Sequence, residues 1–180
     1  MPSLVTSSPR QLLHLLDSDK RGKCRRVNLK SPLRCGSSQS SSSEGLCFDE
    51  MSQWSQSLDR LLTSNYGRQI FQVFLKSEFS DENIEFWLVC EEYKEIKSSF
   101  RMTSRAKKIF KRYIQAEAPR EINIDHKTRE TIRRNIQEAN RMCFNDAQRI
   151  VYGLMEKDSY PRFLRSDIYS ALLESKSVKM

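Results

Sequence analysis

From Phe48 onward, apolar residues return every three and four positions with almost nothing to interrupt them. Met51, Trp54, Leu58, Leu61 and Leu62 make one stripe, and Tyr66, Ile70, Phe71, Phe74 and Leu75 the next. Ala106, Ile109, Phe110, Tyr113 and Ile114 follow, stopped by Pro119, then Thr128, Ile132 and Ile136. Phe144, Ala147, Val151, Leu154 and Met155 form another stripe, and Ile168, Ala171 and Leu172 close the chain. This spacing puts apolar side chains on one face of a 3.6-residue helix. The 133 residues from 48 to 180 hold only two glycines (Gly67, Gly153) and two prolines (Pro119, Pro161). No period-two run of β-branched residues offers a strand. An all-α domain over 48–180, of about eight or nine helices of ordinary length, is therefore predicted. Gly153 costs about 1 kcal/mol relative to Ala inside a helix, and close helix contact is the expected reason for it.

One stretch departs from what folding alone selects: Glu78-Phe79-Ser80-Asp81-Glu82-Asn83-Ile84-Glu85-Phe86-Trp87. Ser80 suits an N-cap, and Asp81 and Glu82 suit the positive end of a helix dipole. A capping box wants Glu or Gln three residues after the cap, where Asn83 stands instead. Behind it Ile84, Phe86, Trp87, Leu88, Val89, Cys90 and Tyr93 are apolar on nearly every side. A helix is predicted here whose body is buried and whose acidic, amide-bearing mouth faces out. An ordinary solvated N-terminus fits the stretch, and so does a functional site, since local rules tend to be broken at sites.

Charge separates this domain from what precedes it. Residues 1–47 hold eight Lys or Arg against three acids, a balance of +5 within a total of +8. The basic character thus reports mainly on the appendage and is weak support for nucleic-acid binding by the folded part. Leu12, Leu13, Leu15 and Leu16 precede the cluster Lys20–Arg26. This suits either an amphipathic anchor on anionic lipid or a disordered polar tail. Cys24, Cys35 and Cys47 are candidate acylation sites in that segment, and the serine-rich run 37–43 between Gly36 and Gly45 reads as a flexible linker. Five cysteines without a C-x-x-C pair suggest neither zinc nor a disulfide framework, and a reduced, cytoplasmic setting is expected. No apolar run approaches the length of a membrane span.

Catalytic constellations are hard to build here. His14 and His126 are the only histidines, so Glu82 and Glu85 cannot join a Glu-x-x-His di-iron site. Phosphate loops, nucleophile elbows and H-E-x-x-H are absent, and neither a metal nor a cofactor is expected. Cys90 and Cys143 sit among apolar neighbours, as buried packing thiols do. Arg105, Lys108 and Arg112, flanked by Lys107 and Lys111, recur at helical spacing. That face reads first as solvated, second as a lipid contact and last as a nucleic-acid contact, because no aromatic residues interleave with it.

Near the C-terminus, Leu154-Met155-Glu156-Lys157-Asp158-Ser159-Tyr160-Pro161-Arg162-Phe163-Leu164 forms a second polar constellation. Asp158 or Ser159 can cap a new helix with Pro161 in its first turn, which leaves Arg162 unexplained. These residues, with Phe74–Trp87, Glu121-Ile122-Asn123-Ile124-Asp125 and Thr128-Arg129, resemble the regulator of G-protein signalling (RGS) domain over about residues 55–173. The short basic N-terminal segment is similar to that of the family's small members.

The resemblance implies a nine-helix RGS fold, a four-helix bundle packed against a subdomain of the first and last helices. It implies a GTPase-activating protein for heterotrimeric G-protein α subunits that supplies no catalytic group and damps receptor signalling. The GTP-loaded or transition-state α subunit, of inhibitory or q class, is the implied partner, met by a monomer recruited from the cytoplasm to the inner plasma membrane. By matching position, the implied contacts are Glu78, Phe79, Ser80, Glu82, Asn83, Asn135, Leu154, Asp158, Ser159 and Arg162. Glu82, Asn83, Asn135, Asp158 and Ser159 are implied to line a shallow pocket, with Arg162 paired to Asp158. The chain departs from the family after Asn135, where Glu138-Ala139-Asn140 replaces Glu-Pro-Thr, and a looser loop is expected. Two rivals remain: an antagonist that binds the α subunit without speeding hydrolysis, and a basic helical protein that binds membrane or RNA.

Overall fold

The computed structural model describes residues 48–177, and every regular element among them is helical. The 1–47 segment, with its leucines and Cys24, Cys35 and Cys47, lies outside the described residues. The elements are α1 (Phe48–Gln53), α2 (Leu58–Thr63), α3 (Asn65–Ser77), α4 (Glu82–Lys94), α5 (Ser99–Ile109), α6 (His126–Asn135), α7 (Asn145–Leu154), α8 (Tyr160–Leu164) and α9 (Asp167–Ser177). A wide π turn over Phe110–Ile114 ends α5, and another over Met155–Ser159 joins α7 to α8. No helix among the described residues is long and apolar enough to cross a membrane.

Local chemistry sets several starts. Ser57, Ser64, Ser98 and Asp125 each accept a backbone N–H from the first turn of α2, α3, α5 and α6, satisfying a donor that the helix cannot. α4 packs on α5 and α7, and α6 packs on α7 and on the π turn of α5, closing a four-helix bundle. Phe144 is its aromatic centre, edge-on to Tyr93 at 5.1 Å and to Phe86 at 6.2 Å. Buried Gln148 joins α7 to α4, donating to the Trp87 carbonyl at 3.2 Å and to Glu91 at 2.7 Å. In α4, Ile84, Phe86, Cys90 and Tyr93 are buried, while Trp87, Leu88 and Val89 are half-buried against the same core.

The two ends of the domain meet in a second unit. The Tyr160 hydroxyl donates to the Trp54 carbonyl at 2.7 Å, and the Tyr169 hydroxyl to the Met51 carbonyl at 3.0 Å. Both acceptors lie at the end of α1, where carbonyls run out of helical donors; the Met51 carbonyl also takes the Trp54 N–H at 3.2 Å, and the buried tyrosines add apolar area as well as a donor. Phe163 packs edge-on against Phe71 and Phe74 at 5.3 and 5.6 Å, fixing α8 on α3.

Two expectations are corrected. A Cβ on Gly153 would meet nothing within 4 Å, so no close helix contact explains that glycine. The tight approach is at Gly67, where a Cβ would stand 2.5 Å from the Leu61 carbonyl oxygen and 3.1 Å from the Trp54 ring. Nor does a new helix begin at Asp158 or Ser159. Neither side chain caps α8; the π turn carries the helix onward, with the Tyr160 N–H reaching the Met155 carbonyl. Widening the turn is how a helix accepts Pro161, which has no N–H to give.

Candidate functional site

The site grows from the turn between α3 and α4. Helix α3 ends at Ser77 with Glu78 as its C-cap, and Phe79 follows with φ 54°. The Phe79 N–H bonds the Lys76 carbonyl at 3.2 Å and the Ser80 N–H the Leu75 carbonyl at 2.9 Å. This is a Schellman ending, whose left-handed position is normally glycine. A phenylalanine there is strained, and its ring is 93% exposed. Strain and apolar exposure at one residue mark it as held for something other than stability.

Ser80 is consumed by this ending. It does not cap α4 as expected: its N–H and, at 3.5 Å, its hydroxyl are both given to Leu75. Asp81 takes the N-cap position with helical angles and no capping bond. Its carboxylate instead meets Arg120 at 2.8 Å, and Arg120 also pairs with Glu85 at 3.2 Å. The Asp81 contact, with Glu85 behind it, holds the guanidinium above its usual pKa. Asn83 lies between these two carboxylates in sequence. Its Oδ1 is covered and accepts no hydrogen bond, a condition worth roughly 1–3 kcal/mol against folding.

The second motif arrives from α8. Arg162 pairs with Asp158 at 2.8 Å, as the resemblance implies, and also with Glu78. The guanidinium thereby ties the end of α3 to the π turn. Leu154 stands 36% exposed at the start of that turn. Ser159 is 4% exposed, a floor residue rather than a surface one. Asn135 ends α6 on an exposed position. No hydrogen bond or ion pair among the described residues joins it to Glu82, Asn83 or Asp158. The loop beyond it has fixings in place of a proline: Ile136 is buried, the Tyr93 hydroxyl donates to the Asn140 carbonyl at 3.0 Å, and the Asn140 side chain accepts the Met142 N–H at 2.8 Å.

Groups outside this surface behave as packing and as a solvated face. Burial pushes the Cys90 thiol far above its ordinary range and the Cys143 thiol up to about 11, so neither is a ready nucleophile. In the basic stripe, Arg105 pairs with Glu92 at 3.4 Å and Arg112 with Glu85 at 3.7 Å. An open groove of about 610 Å³ along Ile96, Phe100, Arg101, Arg105 and Lys108 shares no residue with the α3–α4 mouth. Arg120 is the residue that sequence reasoning missed. The available signal was the pair Asp81 and Glu85 on one helix face, which needs a cation, with Arg120 beside the Glu121–Asp125 motif.

A profile for the regulator of G protein signaling domain matches residues 57–172, the span from the Ser57 cap to α9. The chain is 55% identical to human "Regulator of G-protein signaling 13" over 130 residues, covering 72% of this chain and 82% of that one. It is 56% identical to zebrafish (Danio rerio) "Regulator of G-protein signaling 8" over 128 residues, 71% and 74% of the two chains. Against pig (Sus scrofa) "Regulator of G-protein signaling 5" the identity is 53% over 127 residues, 71% and 70%. With the helical bundle and the matched span in agreement, the chain belongs to the regulator of G-protein signalling domain family.

Proposed function

We propose that this protein is a GTPase-activating protein for heterotrimeric G-protein α subunits, acting through the mouth of α4 and attenuating receptor signalling. The observation that carries the reading is the combination at that mouth. Phe79 is strained and 93% exposed, Asn83 carries an unused acceptor, and Arg162 clamps Glu78 to Asp158. Folding stability accounts for none of these, and a partner surface accounts for all three.

The chemistry belongs to the α subunit. It carries its own arginine and a glutamine that orients the attacking water, so an activator need only order the mobile switch segments. Order achieved on binding lowers the entropic part of the chemical barrier, and each tenfold in rate requires about 1.4 kcal/mol. In this reading the Asn83 amide, able to donate and accept at once, meets the switch backbone and the glutamine. Phe79 and Leu154 supply apolar contact, Glu78, Ser80, Glu82 and Asp158 supply the polar rim, Asn135 completes the surface, and buried Ser159 forms its floor. Inhibitory or q-class α subunits are the proposed partners. Recruitment from the cytoplasm to the inner plasma membrane would use the basic N-terminal segment, aided by acylation of Cys24, Cys35 or Cys47.

The test is affinity for three states of one inhibitory-class α subunit: with GDP, with a non-hydrolysable GTP analogue, and with GDP plus aluminium fluoride. An activator binds the aluminium-fluoride state most tightly, because that state mimics the transition state. Tightest binding to the GTP-analogue state would instead indicate an antagonist, and equal binding to all three would remove the reading.

A further inference from the structure

The segment from Arg120 to Arg129 contributes none of the α-subunit contacts proposed above. It is nevertheless pinned with care. The Arg120 N–H bonds the Arg112 carbonyl at 3.1 Å and the Ile122 N–H the Tyr113 carbonyl at 3.0 Å. Ile122 and Ile124 are buried beneath it. The segment thus lies along the π turn that ends α5, and two neighbouring side chains leave it for different helices. Glu121 meets Arg129 of α6 at 2.6 Å. Arg120 meets Asp81 and Glu85 of α4.

What Arg120 holds is a helix start that has no side-chain cap, a condition α4 shares with α7 and α8. α2, α3, α5 and α6 have side-chain caps, whereas α4 has none, because the Asp81 carboxylate faces Arg120. An uncapped first turn frays. Asp81 and Glu85 lie one helical turn apart and therefore on one face, with Asn83 between them in sequence. A guanidinium, planar and forked, presents its donors to both carboxylates in fixed directions, where an ammonium is a point charge on a flexible stem. Arg112 and the Tyr113 hydroxyl approach Glu85 more distantly, at 3.7 and 3.5 Å.

We propose that Arg120 is a positioning residue for GTPase activation: by joining Asp81 to Glu85 it stands in for the missing cap and fixes the first turn of α4, and with it Asn83. The inference rests on the activating function proposed above. Stability alone is a poor reason for this pair of ion pairs: the three side chains are only 14–30% exposed, where the cost of taking charge out of water offsets much of the attraction. Position is a better one, since a misplacement of about 1 Å can cost up to a hundredfold in rate.

The experiment is single-turnover hydrolysis of GTP preloaded on an inhibitory-class α subunit, titrated with the full chain carrying Arg, Ala or Lys at position 120. Loss of correctly folded protein raises the concentration needed for half-maximal rate and leaves the plateau unchanged. A positioning role lowers the plateau itself. Arg120→Ala lowers it about tenfold, and Arg120→Lys recovers part of that by keeping one ion pair. A plateau equal to wild type in Arg120→Ala overturns the inference. The second readout needs no α subunit: the Asn83 side-chain amide resonance shifts and broadens in Arg120→Ala and stays put if Arg120 does not set Asn83. Absence of acceleration by the wild-type chain would remove the activating function, leaving the resonance to decide whether the clamp exists.

Discussion

Arg162 and Glu78 form an ion pair that joins the end of α8 to the end of α3, and the same guanidinium holds Asp158. The two motifs that frame the proposed α-subunit surface are therefore one object, mechanically linked through a single side chain.

Removing that link should be cheap for folding and costly for function. The partners are 36–72% exposed at their side chains, so Arg162→Ala costs less than about 1 kcal/mol in urea unfolding. The concentration for half-maximal acceleration of GTP hydrolysis rises about tenfold, as at truncated interface arginines. Arg162→Lys does not restore it, because a flexible ammonium lacks the fixed fork that spaces Glu78 from Asp158.

The two helical glycines respond in opposite directions to the same change. Gly67→Ala drives a methyl into the Leu61 carbonyl and destabilises by about 1–3 kcal/mol, the usual cost of overpacking. Gly153→Ala meets open space and stabilises by about 0.5–1 kcal/mol. Urea midpoints of the two variants check both signs at once.

Phe79 opposes stability to activity. Phe79→Gly relieves a left-handed position and surrenders no packing from a ring that is 93% exposed. It raises stability by about 1 kcal/mol while weakening binding to the aluminium-fluoride state of the α subunit. A melt and a titration on the same preparation separate the two effects.

Alkaline pH destabilises the fold through Cys143. Burial raises its thiol from the ordinary 9.0 to about 11. Between these values the unfolded chain releases a proton that the folded chain keeps, so stability falls as pH rises. The stability is intact below pH 9 and lost as pH approaches 11, at up to about 1.4 kcal/mol per pH unit for one proton. Cys143→Ala removes one proton's share of that slope in the profile of melting temperature against pH; Cys90, whose thiol burial pushes up further, keeps its own share from pH 9, and Tyr93, raised from 10.0, adds to the fall from about pH 10.

The all-helical architecture was readable because period and composition agree from Phe48 onward, and the packing of Cys90 and Cys143 followed from their apolar neighbours. The Arg162–Asp158 pair was readable because the two are one helical turn apart. What escaped depends on where the chain turns. Ser80 looked like a cap, but a Schellman ending two residues earlier claims its N–H for Leu75, a competition that propensity does not express. Gly153 and Gly67 look alike in a helical pattern, and only the crossing of α2 and α3 decides which one lacks room. Pro161 suggested a helix start, whereas a π turn lets the helix run through. Arg120 meets α4 across a loop whose path the sequence does not encode locally.

The central claim is that the mouth of α4 accelerates GTP hydrolysis on an α subunit. Its most direct test is single-turnover hydrolysis on an inhibitory-class α subunit with the full chain and with Asn83→Ala. Strong acceleration by the wild type, reduced at least about tenfold in the mutant, for a loss of some 1.4 kcal/mol of transition-state stabilisation, is the predicted result. Equal acceleration by both chains, with Asn83→Ala folded as judged by its melt, would contradict it.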